Sequence, residues 1–377
     1  MNGKNNLESF FGPFFKDIFE IPQEGVEYVL DILKRKQEYD QTLRDEWGNW
    51  DGQFLNIPTE ITTPSIDINY RNRKRWDWNG RGSFCLLITH DVDTLNPLGI
   101  NERFRRIIRK NSTHKIKLLL GFLYKRFLLQ RNEGWDFSTW IECELKYGCK
   151  STWFIFPDRL RKQADEDCSY RWHDKVNWDP DSYIPLYEAI KKLKKIGFEI
   201  GLHGSYYSSI DEILLLDQIS HLSELIGEKV FSHRNHYLRF DPIKTPLVHE
   251  NADICIDSTL GMNRFVGFRT GTCFPHFQWC PQKNRITSVL EFPITIQDGA
   301  LFSKAALNLT FAKARELCLK IMDTVESIGG CYNILFHPDA MTDSAKWELY
   351  EELLSESQCR GAWSPTLSEA KKVWLEG

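Results

Sequence analysis

The run Thr89-His90-Asp91-Val92-Asp93 follows the apolar stretch Phe84-Cys85-Leu86-Leu87-Ile88. Two acids one residue apart at the end of a buried strand are costly unless they are hydrogen-bonded, ion-paired or bound to a cation. We read this as the first catalytic loop of a hydrolase. The competing reading is a capped strand end, with a helix N-cap at Asp93 or Thr94. Residues i and i+2 on extended backbone face the same way, so Asp91 and Asp93 share one pocket if the strand persists through them. Further titratable residues follow other apolar runs: His203, Arg234 with His236, Asp257, Asp298 and His337. A single His after a strand is more often a structural hydrogen-bonder. The recurrence at one strand end after another is what points to a site.

The elements that must position these residues are short apolar runs rich in β-branched and aromatic side chains. They fall at 84–89, 152–156, 198–202, 229–232, 253–256, 289–294 and 332–336. Helical spacing separates most of them. Leu186, Ile190 and Leu193 share one face, as do Leu215, Ile219, Leu222 and Ile226, and then Ala314, Leu317, Ile321, Val325 and Ile328. Strands alternating with helices predict an α/β fold with a parallel sheet, and seven strands predict a distorted (β/α) barrel. An open doubly wound sheet would give the same pattern. In a barrel the C-terminal strand ends form one face, where active sites lie.

The chain has 377 residues, 42% hydrophobic, with 13 Trp and 24 Phe, enough for a large core. Residues 1–82 read as an aromatic-rich N-terminal extension packed on a main domain spanning 83–377. Within the extension, Val26, Val29, Leu30 and Leu33 keep helical spacing. The net charge is −4, yet residues 102–131 hold ten Lys/Arg against Glu102 alone, +9, leaving −13 elsewhere. This basic stretch, part of a helical insertion over 95–135, has the composition of a helix for peripheral contact with an anionic membrane, or of a solvated cover. Nucleic acid is a poor fit to an otherwise acidic chain. Ten cysteines without paired spacing, and no signal-like start, lead us to expect a reduced, cytoplasmic setting.

These strand-end residues resemble the motifs of the polysaccharide deacetylases (carbohydrate esterase family 4). Thr89-His90-Asp91-Val92-Asp93 is similar to that family's Thr-Phe-Asp-Asp, with one residue between the acids. Gly197-Phe198-Glu199-Ile200-Gly201-Leu202-His203 resembles its second motif but has Tyr207 where a second His belongs. Arg234-Asn235-His236-Tyr237 resembles Arg-x-Pro-Tyr, and Leu335-Phe336-His337 resembles Leu-x-His. The likeness covers roughly residues 84–340.

The resemblance implies a divalent metal, zinc first with cobalt or nickel as alternates, and a distorted seven-stranded (β/α) barrel. It implies Asp91 as general base held by Arg234, His337 as general acid, and Asp298 orienting His337. Asp93 and His203 are the expected metal ligands. Tyr207 is a poor zinc ligand, so His236 is the candidate third, while Ser205 or Tyr207 would touch substrate or water. The backbone near Tyr237 is a candidate oxyanion donor. After the fifth run, Asp257 and Arg269 lie in a Gly-rich segment; Arg269 either clamps a substrate anion or is tied to Asp257.

The function expected is removal of an acetyl group, N-acetyl before O-acetyl, from a sugar in surface-polysaccharide or lipopolysaccharide assembly. The substrate would be a carbohydrate, lipid- or nucleotide-linked. A catalytically degenerate glycan-binding or scaffolding barrel, and an amide hydrolase of a non-sugar substrate, are the alternatives.

Overall fold

The computed structural model describes residues 3–40, 42–45, 47–50, 62–72, 75–95, 135–158 and 164–376. The expected basic helical insertion, including 102–131, lies outside the described residues.

The sheet is built outward from β1 (Cys85–Val92), all eight residues of which are buried. It pairs in parallel with β2 (Ser151–Ile155) on one side and β11 (Cys331–Leu335) on the other. The series continues in parallel through β5 (Glu199–Gly204), β6 (Ser232–Asn235), β7 (Ile256–Asp257) and β9 (Arg285–Glu291). On the far side β10 (Ile296–Gln297) adds to β11. A ninth strand, β8 (His276–Cys280), lies antiparallel on the outer edge of β9, and β3 (Lys175–Asp179) with β4 (Ser182–Pro185) forms a separate hairpin.

Among the described residues the sheet thus has nine strands where the sequence pattern predicts seven. The expected strand over 289–294 stops at Glu291, because Pro293 cannot donate to a ladder. Residues 292–295 carry the chain from β9 at one end to β10 at the other. At ~3.8 Å per residue so short a link requires the two ends to face each other, which curls the sheet into an incomplete barrel. Asn333 stitches the gap, its Nδ2 donating to the Phe292 carbonyl at 2.9 Å and to Ser258 Oγ at 3.0 Å.

Helices cover the outside, each stopped by local chemistry. Asp136 caps Phe137–Lys146 by accepting from the Thr139 N–H, and Asp211 caps Glu212–Ile226 through Leu214. The helices Glu212–Ile226 and Phe311–Ile328 both end on a left-handed glycine, Gly227 and Gly329. The N-terminal segment shares the barrel's core: Phe10, Phe11, Phe15 and Phe19 are buried, and Phe19 meets Phe274 edge-on at 5.8 Å. Asp67 ties it down, accepting from Thr272 Oγ1 at 2.6 Å and from the Cys273 N–H at 2.7 Å. No helix among the described residues is long and apolar enough to cross a membrane.

Candidate active site

Strand alternation sorts β1 into two chemistries. His90 faces the helices, bonded to the Phe336 carbonyl and to Glu144 Oε1, each at 2.8 Å, and its ring lies against Trp140 and Trp153. Thr89 and Asp91 face inward, where Arg234 Nη1 from β6 donates to both, at 3.0 and 2.8 Å. Arg234 is itself fixed by Ser258, with Nε to the carbonyl at 2.6 Å and Nη2 to Oγ at 2.8 Å, over the Phe154 ring. This buried guanidinium pairs with the Oδ1 oxygen of Asp91. The other, Oδ2, lies 3.9 Å from His203 Nε2.

The strand persists through Val92, and Asp93 follows at a tight turn in which its N–H reaches the Asp91 carbonyl at 3.1 Å. Three histidines converge on it. His203 Nε2 is 3.2 Å from Asp93 Oδ1, while His236 Nε2 and His337 Nε2 stand 3.8 and 3.5 Å from Oδ2. The adjacent register of β5 and β6 explains how His203 is aimed: its Nδ1 bonds the carbonyl of its neighbour Arg234 at 3.0 Å. That bond places the proton on Nδ1 and leaves the Nε2 lone pair for the cleft. His236 has Asp167 Oδ1 3.9 Å behind its Nδ1, and Cys168 Sγ 4.0 Å from its Nε2.

These charges set the ionisation states. Burial resists ionisation of Asp93, but His236, His203 and His337 outweigh it and hold its carboxyl well below the usual range. For His236 burial acts downward, and Cys168, Asp93 and Asp167 override it, raising it well above its ordinary value. His337 is likewise pulled down by burial and pushed up further by Asp298, to about 10. Asp298 accepts from His337 Nδ1 at 2.6 Å and from Lys346 Nζ at 2.9 Å, and both cations hold it ionised.

The donor set fits a divalent metal. One ligand atom each from Asp93, His203 and His236 lie within 4.8 Å of one another. Asp93 Oδ1 is enclosed and makes no well-formed hydrogen bond although His203 Nε2 is 3.2 Å away. Two imidazoles and one carboxylate, with room for a water, are the ligands of a catalytic zinc.

The cleft, about 260 Å³, is lined by Asp91, Asp93, His203, His236, Tyr237 and His337, among others. Tyr237 and Leu238 are both left-handed, φ 58° and 51°, a costly conformation for non-glycine residues. The Tyr237 carbonyl is held by Asn49 Nδ2 and Asn263 Nδ2, both at 2.8 Å.

Four residues expected as substrate contacts lie away from this lining. Arg269 is tied neither to Asp257 nor to the cleft. It pairs with buried Glu38 of the N-terminal segment (Nη2–Oε2 2.9 Å) and donates to the Gly261 carbonyl at 2.7 Å. Ser205 is buried against Gln218, whose Nε2 donates to its Oγ at 2.7 Å. Tyr207 borders a separate surface depression with Ile210, Asp211, Glu212 and Ile213. Asp257 is on the outer face of the sheet, bonded to His233. These placements correct the expectation of substrate contact for all four. In the other direction, Trp47, Asn263 and Gln297 border the cleft, and Lys346 reaches Asp298. Gln297 precedes Asp298 in sequence; Lys346 and Asn263 carried no local signal.

No family model matches the sequence, and no curated protein is similar to it. Solved structures do match in fold. A Mycobacterium smegmatis protein assigned as a polysaccharide deacetylase shares 19% identity, covering 78% of this chain and 91% of its own, with a TM-score of 0.51. A Pseudomonas aeruginosa PAO1 protein, also assigned as a polysaccharide deacetylase, shares 14% over 80% and 94%, TM-score 0.51. Puue Allantoinase shares 14% over 80% and 94%, TM-score 0.52. By fold, the chain is polysaccharide deacetylase-like.

Proposed function

We propose that this protein is a metal-dependent amide hydrolase that removes an N-acetyl group from an amino sugar. The observation that carries the reading is the convergence of His203, His236 and His337 on Asp93, beside an Asp91 clamped by Arg234. A metal held by Asp93, His203 and His236 would supply an acidified water and a polarised acyl carbonyl.

The chain's own residues supply the rest. Asp91, ion-paired to Arg234 through Oδ1, presents Oδ2 to the cleft as proton acceptor. His337, protonated at neutral pH and held by Asp298, donates a proton from Nε2 to the departing amine. The rigid left-handed turn at Tyr237 directs backbone toward the cleft, where an N–H would meet the developing oxyanion. The preference for an amino sugar, and the setting of surface-polysaccharide assembly, rest on the motif resemblance.

A second reading, an amide hydrolase of a non-sugar substrate, is favoured by the equal fold similarity to Puue Allantoinase. One assay separates the two. Zinc-loaded protein is offered N-acetylated sugar nucleotides and oligosaccharides with acetate release measured, and cyclic ureides and simple amides in parallel. Acetate release supports the sugar reading; hydrolysis of the second set alone supports the other. A protein that turns over neither set, and whose metal content is unchanged by Asp93→Ala with His203→Ala, is the degenerate barrel.

A further inference from the structure

A second histidine-carboxylate cluster sits on the outer face of the same sheet, under the short helix Thr245–Asn251. His233 of β6, His249 of that helix, Asp257 of β7 and Glu291 of β9 are all fully buried. His233 Nδ1 is 3.0 Å from Asp257 Oδ1, and His249 Nδ1 is 3.6 Å from Asp257 Oδ2. One ligand atom from each of the three lies within 4.8 Å of the others. Gln278 Nε2 reaches across from β8 to Asp257 Oδ2 and Glu291 Oε2, both at 2.9 Å. None of these side chains borders the catalytic cleft.

The charge balance here is unusual for a core. Two adjacent carboxyls are enclosed, and among the described residues no Lys or Arg forms a salt bridge with either. Buried carboxylates persist only when paired or neutralised. The geometry also leaves a polar atom over. His249 Nδ1 is enclosed and stands 3.6 Å from Asp257 Oδ2, beyond hydrogen-bond range. Something of positive charge is wanted between them.

We propose that His233, His249 and Asp257 form a second, structural divalent-cation site, selective for zinc, distinct from the cleft. Two imidazole nitrogens and a carboxylate oxygen are zinc donors, and Zn–N and Zn–O bonds of ~2.0–2.2 Å fit between atoms so spaced after small shifts. Glu291 completes the balance, since two carboxylates neutralise one dication. Asn235 Nδ2 contacts His249 Nε2 at 3.3 Å and holds that edge of the ring. The site ties the ends of β6, β7 and β9 together beneath Arg234 and Ser258, so its role is to hold the floor of the cleft rather than to touch substrate. The other occupant compatible with this geometry is a proton shared between Asp257 and Glu291; burial and Asp257 push the Glu291 carboxyl well above its usual range.

The test is zinc content of the full chain, reconstituted with excess zinc, dialysed, and measured by plasma mass spectrometry. Asp93→Ala with His203→Ala disables the cleft ligands; this variant is expected to keep about one equivalent, lost on adding Asp257→Asn. Zinc should also raise the melting temperature of the double variant, and a chelator should lower it. Retention of less than ~0.2 equivalent, with a melting temperature indifferent to both zinc and chelator, overturns the proposal and assigns the shared proton. Glu291→Gln supplies an independent readout, because it mimics the protonated acid: it leaves melting unchanged if a proton is the occupant and weakens zinc retention if a cation is. A cleft that binds no metal would leave the wild type with about one equivalent that survives Asp93→Ala, so failure of the functional reading remains distinguishable from failure of this one.

Discussion

On β6, His233 and Arg234 are neighbours in sequence, point to opposite faces of the sheet, and belong to different clusters. Inside the barrel, Arg234 braces Asp91 beside Asp93, His203, His236 and His337, and solvent reaches the group through the cleft. Outside, His233 joins His249, Asp257 and Glu291 in a sealed core. Both clusters mix imidazole and carboxylate, so composition does not tell a reactive site from a structural one. Access does. The inner cluster has space in front of its ligands, whereas the outer one is closed in, with Gln278, Thr259 and Asn235 packed against it.

The largest effect expected from breaking this contrast is on turnover. Asp91→Asn keeps the shape and the contact to Arg234 but removes the proton acceptor, so kcat should fall ~10³-fold while zinc content is unchanged. Acetate release and metal analysis on the same preparation check it; retained turnover would remove Asp91 from the role of base. The matching change on the outer face reverses the pattern. Asp257→Ala strands the donors of His233, Gln278 and Thr259 and should cost about 3 kcal/mol or more in denaturant unfolding, with turnover of the folded fraction preserved. Were both variants to lose turnover and stability alike, the two clusters would be one functional unit.

The pH profile sharpens the comparison further. His337 has its pKa raised, so the folding stability its protonated form contributes is fully present below the ordinary value of 6.5 and is lost as pH rises through about 10. The same titration sets where the acid stops donating. In Asp298→Asn the carboxylate that holds the proton is gone, so the alkaline limb of kcat should move down toward neutral pH, and the alkaline loss of stability should shrink with it. Stopped assays from pH 6 to 10, with thermal melts at each pH, measure both. The outer histidine behaves oppositely. Burial outweighs Asp257 and lowers His249 to about 4, so it is neutral throughout this window and mutating it should leave the shape of the profile unchanged.

How much of this was legible in the sequence follows from the same geometry. Alternation and strand ends are local patterns, so the runs leading to Asp91, His203, Arg234 and His337 were readable, and the helices with one apolar face were placed within a few residues. The face on which a residue falls depends on where a strand begins. A start expected at 229 but found at 232 is a shift of three residues, which reverses parity counted from the start, and Asp257, at the end of a two-residue strand, gave no alternation from which its face could be read. Arg269 was misplaced for a different reason. Its partner, Glu38, lies 231 residues away in the N-terminal segment, and no local pattern reports a pairing of that range. The early end of the apolar run 289–294 was signalled by Pro293, but only barrel closure gives that proline its consequence.

The smallest effect expected concerns the N-terminal segment, which the sequence presents as a cover without chemistry. Trp47 borders the cleft, its ring 5.4 Å from that of Tyr237, and its carbonyl accepts from Tyr206 Oη at 2.8 Å. Asn49, two residues on, holds the Tyr237 carbonyl. An indole beside the catalytic turn offers a flat apolar face of the kind on which the C–H face of a sugar ring packs, a contact made equally in ground and transition states. Trp47→Ala should therefore raise KM about 5-fold, equivalent to ~1 kcal/mol, and leave kcat nearly unchanged. Trp47→Phe, which keeps a flat ring, should recover most of the loss. A fall in kcat at constant KM would instead mean that Trp47 acts through the Tyr237 turn, and the segment would then belong to the catalytic frame rather than to the wall of the substrate cleft.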